Sequence, residues 1–109
     1  MAYDTTLAGR IGQVLGNDPA VVAKKMFGGI CFMVQGNMAC GVHRQDLIVR
    51  LGADAAATGL DRPGARYFDI TGRPMKGWLQ VAGDACADDT VLQEWVEQAV
   101  AFARSLPPK

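Results

Sequence analysis

From Lys24 to Leu51 the chain reads KKMFGGICFMVQGNMACGVHRQDLIVRL, with apolar positions recurring at the two-residue period of β-strands. Two very tight turns interrupt the pattern, so the block predicts three consecutive antiparallel strands. Gly36-Asn37 suits a primed two-residue hairpin loop, and Arg44-Gln45 supplies the second turn. With Gly36-Asn37 as the loop, Gln35 faces Met38, Met33 faces Cys40, Phe32 faces Gly41, Cys31 faces Val42 and Ile30 faces His43. The second turn pairs His43 with Asp46, Val42 with Leu47, Gly41 with Ile48 and Cys40 with Val49. Alternation then sorts the block into two sides. Cys31, Met33, Gln35, Met38, Cys40, Val42, Leu47, Val49 and Leu51 form the expected core side. Ile30, Phe32, Val34, Ala39, Gly41, His43, Asp46, Ile48 and Arg50 form a mixed outer side.

Helical spacing brackets this block. Asp4, Thr5 and Thr6 offer acceptors for a helix start, and Leu7, Ile11, Val14 and Leu15 place a helix over Thr5 to Leu15. Gly16-Asn17 and then Pro19 end it. Gly52 to Thr58 is alanine-rich and predicts a short helix, and Gly59 to Gly64 reads as a loop. A second hairpin follows, with Arg66 to Ile70 and Met75 to Ala82 as strands and Ile70 opposite Met75. In that register Tyr67 lies beside Trp78, and Asp69 opposes Lys76. The last helix begins around Asp88-Asp89-Thr90, where Thr90 and Gln93 have capping-box spacing, and Pro107-Pro108 ends it. Leu92, Trp95, Val96, Ala99, Phe102, Ala103 and Leu106 make its apolar stripe. The order αβββαββα predicts an α+β fold: a five-stranded antiparallel sheet with helices on one face.

A length of 109 residues sets the scale at one domain over residues 1–109. Half the residues are apolar and a fifth charged, as in a folded soluble protein rather than a disordered segment. No apolar run is long enough to cross a bilayer and no secretory signal is visible, so no membrane association and a cytoplasmic location are expected. Three cysteines, an odd number, fit reduced buried thiols better than a disulfide framework. Net charge is zero, but Lys24 to Lys76 holds eight Lys/Arg against four Asp. That local excess keeps nucleic-acid binding open as an alternative without giving a long-range pull.

Candidate chemistry is thin. Cys40 and His43, three residues apart on one strand, point to opposite sides and cannot share an ion or a proton. Cys31 and Cys40 are diagonal neighbours in the expected register, at or beyond disulfide reach. Cys86 lies among Asp84, Asp88 and Asp89, which disfavour its thiolate. Lys24 to Gly29 lacks P-loop or dinucleotide spacing and continues into a strand, so Gly28-Gly29 reads as a bulge or a close backbone approach. Ser105, the single serine, has no base beside it. No catalytic set, metal site or cofactor is therefore expected. What remains is an outer apolar patch of Ile30, Phe32, Val34, Ile48, Tyr67 and Trp78, rimmed by Arg50, Lys76 and Asp69, of the kind that marks protein interfaces.

The runs KKMFGGICFMVQGNMACGV, DLIVRLG and ARYFDITGRPMKGWLQV closely resemble the TfoX N-terminal domain family, also called TfoX/Sxy. The resemblance spans essentially the whole chain. It implies a two-layer α+β sandwich with an antiparallel sheet, related to secretion-chaperone-like folds. The best-known members regulate natural competence and carry a separate C-terminal domain, so a chain stopping at Lys109 looks like the stand-alone form. The resemblance brings no catalytic residues. Together these readings point to a non-enzymatic regulatory or protein-interaction domain, whose partner is another protein or a second copy in a homodimer. The alternatives are a nucleic-acid-binding accessory protein and, further off, a small enzyme with a pocket the sequence does not reveal.

Overall fold

Three helices and one antiparallel sheet form in the computed structural model, which describes residues 3–16, 18–26, 28–69, 72 and 74–108. Helix α1, Thr5–Leu15, begins at Asp4, whose Oδ1 accepts hydrogen bonds from the N–H groups of Thr6 (2.9 Å) and Leu7 (3.1 Å). Of the three candidate caps, the carboxylate is the one used, as suits the positive end of a helix dipole. Helix α2, Ala53–Gly59, is short, and helix α3 runs over Asp89–Ser105. Asp88 caps α3 by accepting from the Thr90 N–H at 2.8 Å, so the helix starts within the expected Asp88-Asp89-Thr90 segment, with Asp88 rather than Thr90 as its cap.

The sheet has six strands, not the expected five: β1 Val21–Met26, β2 Gly29–Val34, β3 Asn37–His43, β4 Asp46–Arg50, β5 Ala65–Tyr67 and β6 Trp78–Val81. Their order is β1-β2-β3-β4-β6-β5, every neighbouring pair antiparallel. The extra strand is β1, which pairs with β2 from Val21 opposite Val34 to Met26 opposite Gly29. Val22, Ala23, Lys24 and Lys25 are all exposed, so β1 lacks the alternation that reveals a half-buried strand.

The expected β3–β4 register is the one observed, with Arg44 at φ 57° in its turn. The β2–β3 register differs. Val34 opposes Asn37, so the loop is Gln35-Gly36, at φ 54° and 82° as a primed turn requires. Phe32 faces Cys40 and Met33 faces Met38, leaving Ala39 as the extra residue of a β-bulge. The slip reverses β2, turning Ile30, Phe32 and Val34 inward where Cys31, Met33 and Gln35 were expected. Burial explains the preference: Phe32 and Val34 are only 8% and 0% exposed, and a large apolar side chain gains roughly 1.5–3 kcal/mol when fully buried. Asn37, released from the turn, is buried and donates from Nδ2 to the Pro107 carbonyl at 3.0 Å, tying the end of α3 to β3.

A similar slip affects the second hairpin. Tyr67 opposes Leu79 and Ala65 opposes Val81, so Tyr67 shares its side with the core residues and not with Trp78. Gly77, at φ 91°, closes a turn in which the Trp78 N–H donates to the Met75 carbonyl at 3.1 Å, and this turn displaces the ladder. The expected partner of Met75, Ile70, lies outside the described residues. A 3-10 turn at Gly83–Cys86, not foreseen, leads into α3.

One core cluster joins Leu7 and Ile11 of α1, Ala56 of α2, and Leu92, Trp95, Val96, Ala99 and Ala103 of α3 to the inward side of the sheet. Phe32, Val34, Ala39, Cys40, Val42, Leu47, Val49, Leu79 and Val81 are its sheet members. Helix α3 packs across β2, β3 and β4 and beside α1. Over Trp95 lies the Arg62 guanidinium, 4.1 Å from the ring centroid.

Close approach of β2 and β3 depends on two glycines. A Cβ at Gly41 would overlap the Ile30 carbonyl oxygen, and one at Gly29 the Val42 carbonyl oxygen. Gly41→Ala is expected to destabilise the chain by about 1–3 kcal/mol, the usual cost of overpacking, read as a lower urea midpoint with unchanged slope. An unchanged midpoint would mean that the strands do not approach this closely.

Candidate interaction surface

The six residues that the sequence nominated do not form one patch. Phe32 and Val34 belong to the core cluster, and Ile30 and Tyr67 are half-buried against it. Ile48 and Trp78 do lie on the reverse side, Ile48 at 2% exposure and Trp78 half-buried. A period of two explains the loss: one residue of slip turns a whole strand over.

What the reverse side holds instead is a small set of buried apolar residues outside the main cluster, Cys31, Ile48 and Phe68. Cys31 and Gly41 are directly paired there, as are Gly41 and Ile48, and Ile48 pairs with Gln80 and Arg50 with Trp78. Phe68, directly after β5, is buried outside the main core and meets the His43 ring edge-on at a centroid distance of 5.9 Å. Its ring also lies 6.4 Å from that of Trp78. The Arg50 guanidinium stands 5.5 Å from the centroids of both Trp78 and Phe102, a cation against two aromatic faces. Met33, Met38, His43, Arg50, Trp78 and Gln80 are all half-buried, while Lys24 and Arg66 are exposed. Phe68 follows Tyr67, whose partner is Leu79, so the one-residue shift of the second hairpin places it on the side opposite to Tyr67.

At the β3–β4 end, Asp46 organises the polar groups. Its carboxylate accepts from Gln80 Nε2 at 2.6 Å, from the Gly83 N–H at 3.2 Å and from Arg66 at 3.4 Å. Beside it is a polar cleft of about 280 Å³ reached by Asp4, Arg10 and Asp84. Arg10 is already held there, by Asp89 at 2.9 Å and by the Cys86 and Ala87 carbonyls at 2.8 and 3.2 Å. Those bonds join α1 to the start of α3. A second cleft, about 190 Å³, lies where α1, α3 and the start of β1 meet, lined by Val14, Leu15, Val21, Val96 and Val100. Asp18 and Arg104 form an ion pair beside it. The Ala20 N–H, 2.9 Å away, and then Arg104 hold the Asp18 carboxyl below its usual range against the opposing effect of burial.

Edge strand β1 is the most open part of the sheet. Among the described residues β2 is its single strand neighbour, and Val22, at 53% exposure, stands on it beside Lys24 and Lys25. Neither lysine is in an ion pair among the described residues. Lys24, Lys25 and Met26 thus pair with Cys31, Ile30 and Gly29, and Gly28 stands at φ 73° before β2, so the described residues of this segment are strand and turn rather than the helix start that cradles a phosphate.

Cys40 and His43 occupy opposite sides, Cys40 in the core and His43 against Phe68, as the alternation requires. Cys31 and Cys40 also lie on opposite sides, contrary to the expected shared side, because β2 is reversed. All three cysteines are free and buried. Burial pushes the Cys40 thiol up to about 12, with Cys31 adding to the shift, and pushes Cys86 up to about 11. Among the described residues no group of three or more His, Cys, Asp or Glu is placed to hold a metal ion, and no helix is long and apolar enough to cross a membrane.

Compared with known families, residues 13–103 match the model of the TfoX N-terminal domain. No curated protein and no solved structure matches the chain.

The buried thiols set a pH dependence whose sign is fixed. An unfolded cysteine ionises near pH 8.5, whereas Cys40 and Cys86 stay protonated in the folded chain to about 12 and about 11. Over that window the unfolded state binds fewer protons, so stability falls as pH rises. Urea midpoints should drop above pH 8.5, and Cys40→Ala/Cys86→Ala should flatten that drop. An equal slope in the double variant would contradict the assignment.

Proposed function

Because the chain belongs to the TfoX N-terminal domain family, we propose that it is a regulatory module of the competence-regulator kind that acts by binding another protein, without catalysis. The observation that carries this reading is the composition of the sheet's reverse side. Trp78, Arg50, Met33 and Met38 are half-buried there, and tryptophan, arginine and methionine are the side chains enriched where proteins meet. In this reading the helices line the core side of the sheet and leave the other side to the partner. The module works in the cytoplasm and needs neither cofactor nor metal.

Direct nucleic-acid binding is the weaker reading, since the basic segment is dispersed in space. Arg62 and Arg66 are engaged by Glu94 and Asp46, and Arg50 rests against aromatic rings. By register, Lys25 lies toward the β1–β2 turn, whereas Lys76 lies at the other end of the sheet beside Trp78.

Removal of the gene is expected to shift the transcript levels of a defined gene set. Wild type should restore the profile, and Arg50→Glu or Trp78→Ala, shown to be folded by circular dichroism, should not. An unchanged profile on deletion, or full restoration by both variants, would overturn the proposal.

A further inference from the structure

Strand β1 ends the sheet with a row of backbone N–H and C=O groups that no neighbouring strand pairs among the described residues. Such an edge accepts a further strand whenever the added side chains suit those already there. Here the side chains are informative. Val22 and Lys24 share the reverse side with their β2 partners Met33 and Cys31, while Val21, Ala23 and Lys25 share the core side with Val34, Phe32 and Ile30. Lys24 and Lys25 therefore project to opposite sides of the same edge. Both are exposed, and neither meets a carboxylate among the described residues. The exposed Val22 completes the edge.

We propose that β1 is a docking edge for an extended acidic segment of another protein, which joins the sheet as an antiparallel seventh strand. The proposal rests on the reading of the chain as a protein-binding module and adds where one partner segment binds and what it looks like. Consecutive residues of an added strand fall on alternate sides. Two adjacent acidic residues would thus oppose Lys25 and Lys24, each on its own side. Two positions further along, a β-branched residue would oppose Val22. From N- to C-terminus the matching pattern is acidic, acidic, any residue, β-branched. A second copy of the chain fits less well, because antiparallel pairing of β1 with itself brings four lysines into one seam, and like charges facing across strands repel. The same lysines that deter self-pairing select an acidic strand.

The test uses the full chain, labelled with 15N, and two end-blocked peptides, Thr-Glu-Glu-Thr-Val-Thr and its counterpart Thr-Lys-Lys-Thr-Val-Thr. The glutamate peptide should shift the amide signals of 21–26 and slow their hydrogen exchange, and the lysine peptide should not. Lys24→Glu/Lys25→Glu, at two exposed positions, should weaken the glutamate peptide by at least about tenfold and make the lysine peptide the better ligand. Asp54→Asn, at an exposed position of α2 outside both surfaces, should bind the glutamate peptide like wild type. Equal binding of the two peptides, no shift in β1 at millimolar glutamate peptide, or indifference to the lysine reversal would overturn the proposal. So would a dimer in light scattering with β1 amides protected before any peptide is added, since a second copy would then occupy the edge. If the peptide fails while transcript complementation succeeds, the docking edge falls and the protein-binding module stands.

Discussion

Pairing between β2 and β3 sets which side chains build this protein. The Gln35-Gly36 turn, the Ala39 bulge and the contact of Gly29 and Gly41 with opposing carbonyls together hold one register. In it Phe32 lies opposite Cys40, and both feed the core cluster. A shift by one residue would exchange Phe32 and Val34 for Cys31, Met33 and Gln35 on the inward side. That exchange would expose two large apolar groups and bury an amide, which costs unless it finds partners. Hydrophobic burial and backbone approach therefore favour the same register.

The rest of the architecture builds on that choice. With β2 turned inward, α3 has an apolar surface spanning β2, β3 and β4 on which to lay Leu92, Trp95, Val96, Ala99 and Ala103. Asn37, freed from the hairpin loop, fastens the end of α3 through the Pro107 carbonyl, and Arg10 fastens its start through Asp89 and two backbone carbonyls. On the reverse side the choice leaves Cys31 beside Gly41, whose other partner is Ile48, while His43 and Trp78 meet Phe68 and Arg50 rests on Trp78.

Much of this was legible in the residues, and the rest was not for identifiable reasons. α1 and α3 follow directly from their apolar stripes and from acidic residues at their starts, because helix periodicity survives a one-residue error at either end. β4 and the Arg44-Gln45 turn were also readable, since Leu47 and Val49 face apolar partners on both neighbouring strands. β1 was not, because its side chains are largely exposed and carry no alternation. The Gly36-Asn37 pair misled, since the glycine takes the second turn position and Asn37 serves a tertiary contact that local sequence does not encode. Of the six nominated surface residues, Ile48 and Trp78 lie on the reverse side, and Ile30, Phe32, Val34 and Tyr67 turn inward. Strand pattern states which residues travel together; it does not state which side they take.

Cross-strand nuclear Overhauser contacts between β2 and β3 test the register most directly. The structure predicts backbone contacts linking Val34 to Asn37, Phe32 to Cys40 and Ile30 to Val42. Contacts linking Met33 to Cys40, Phe32 to Gly41 and Ile30 to His43 instead would reverse β2, remove Phe32 and Val34 from the core and contradict the account.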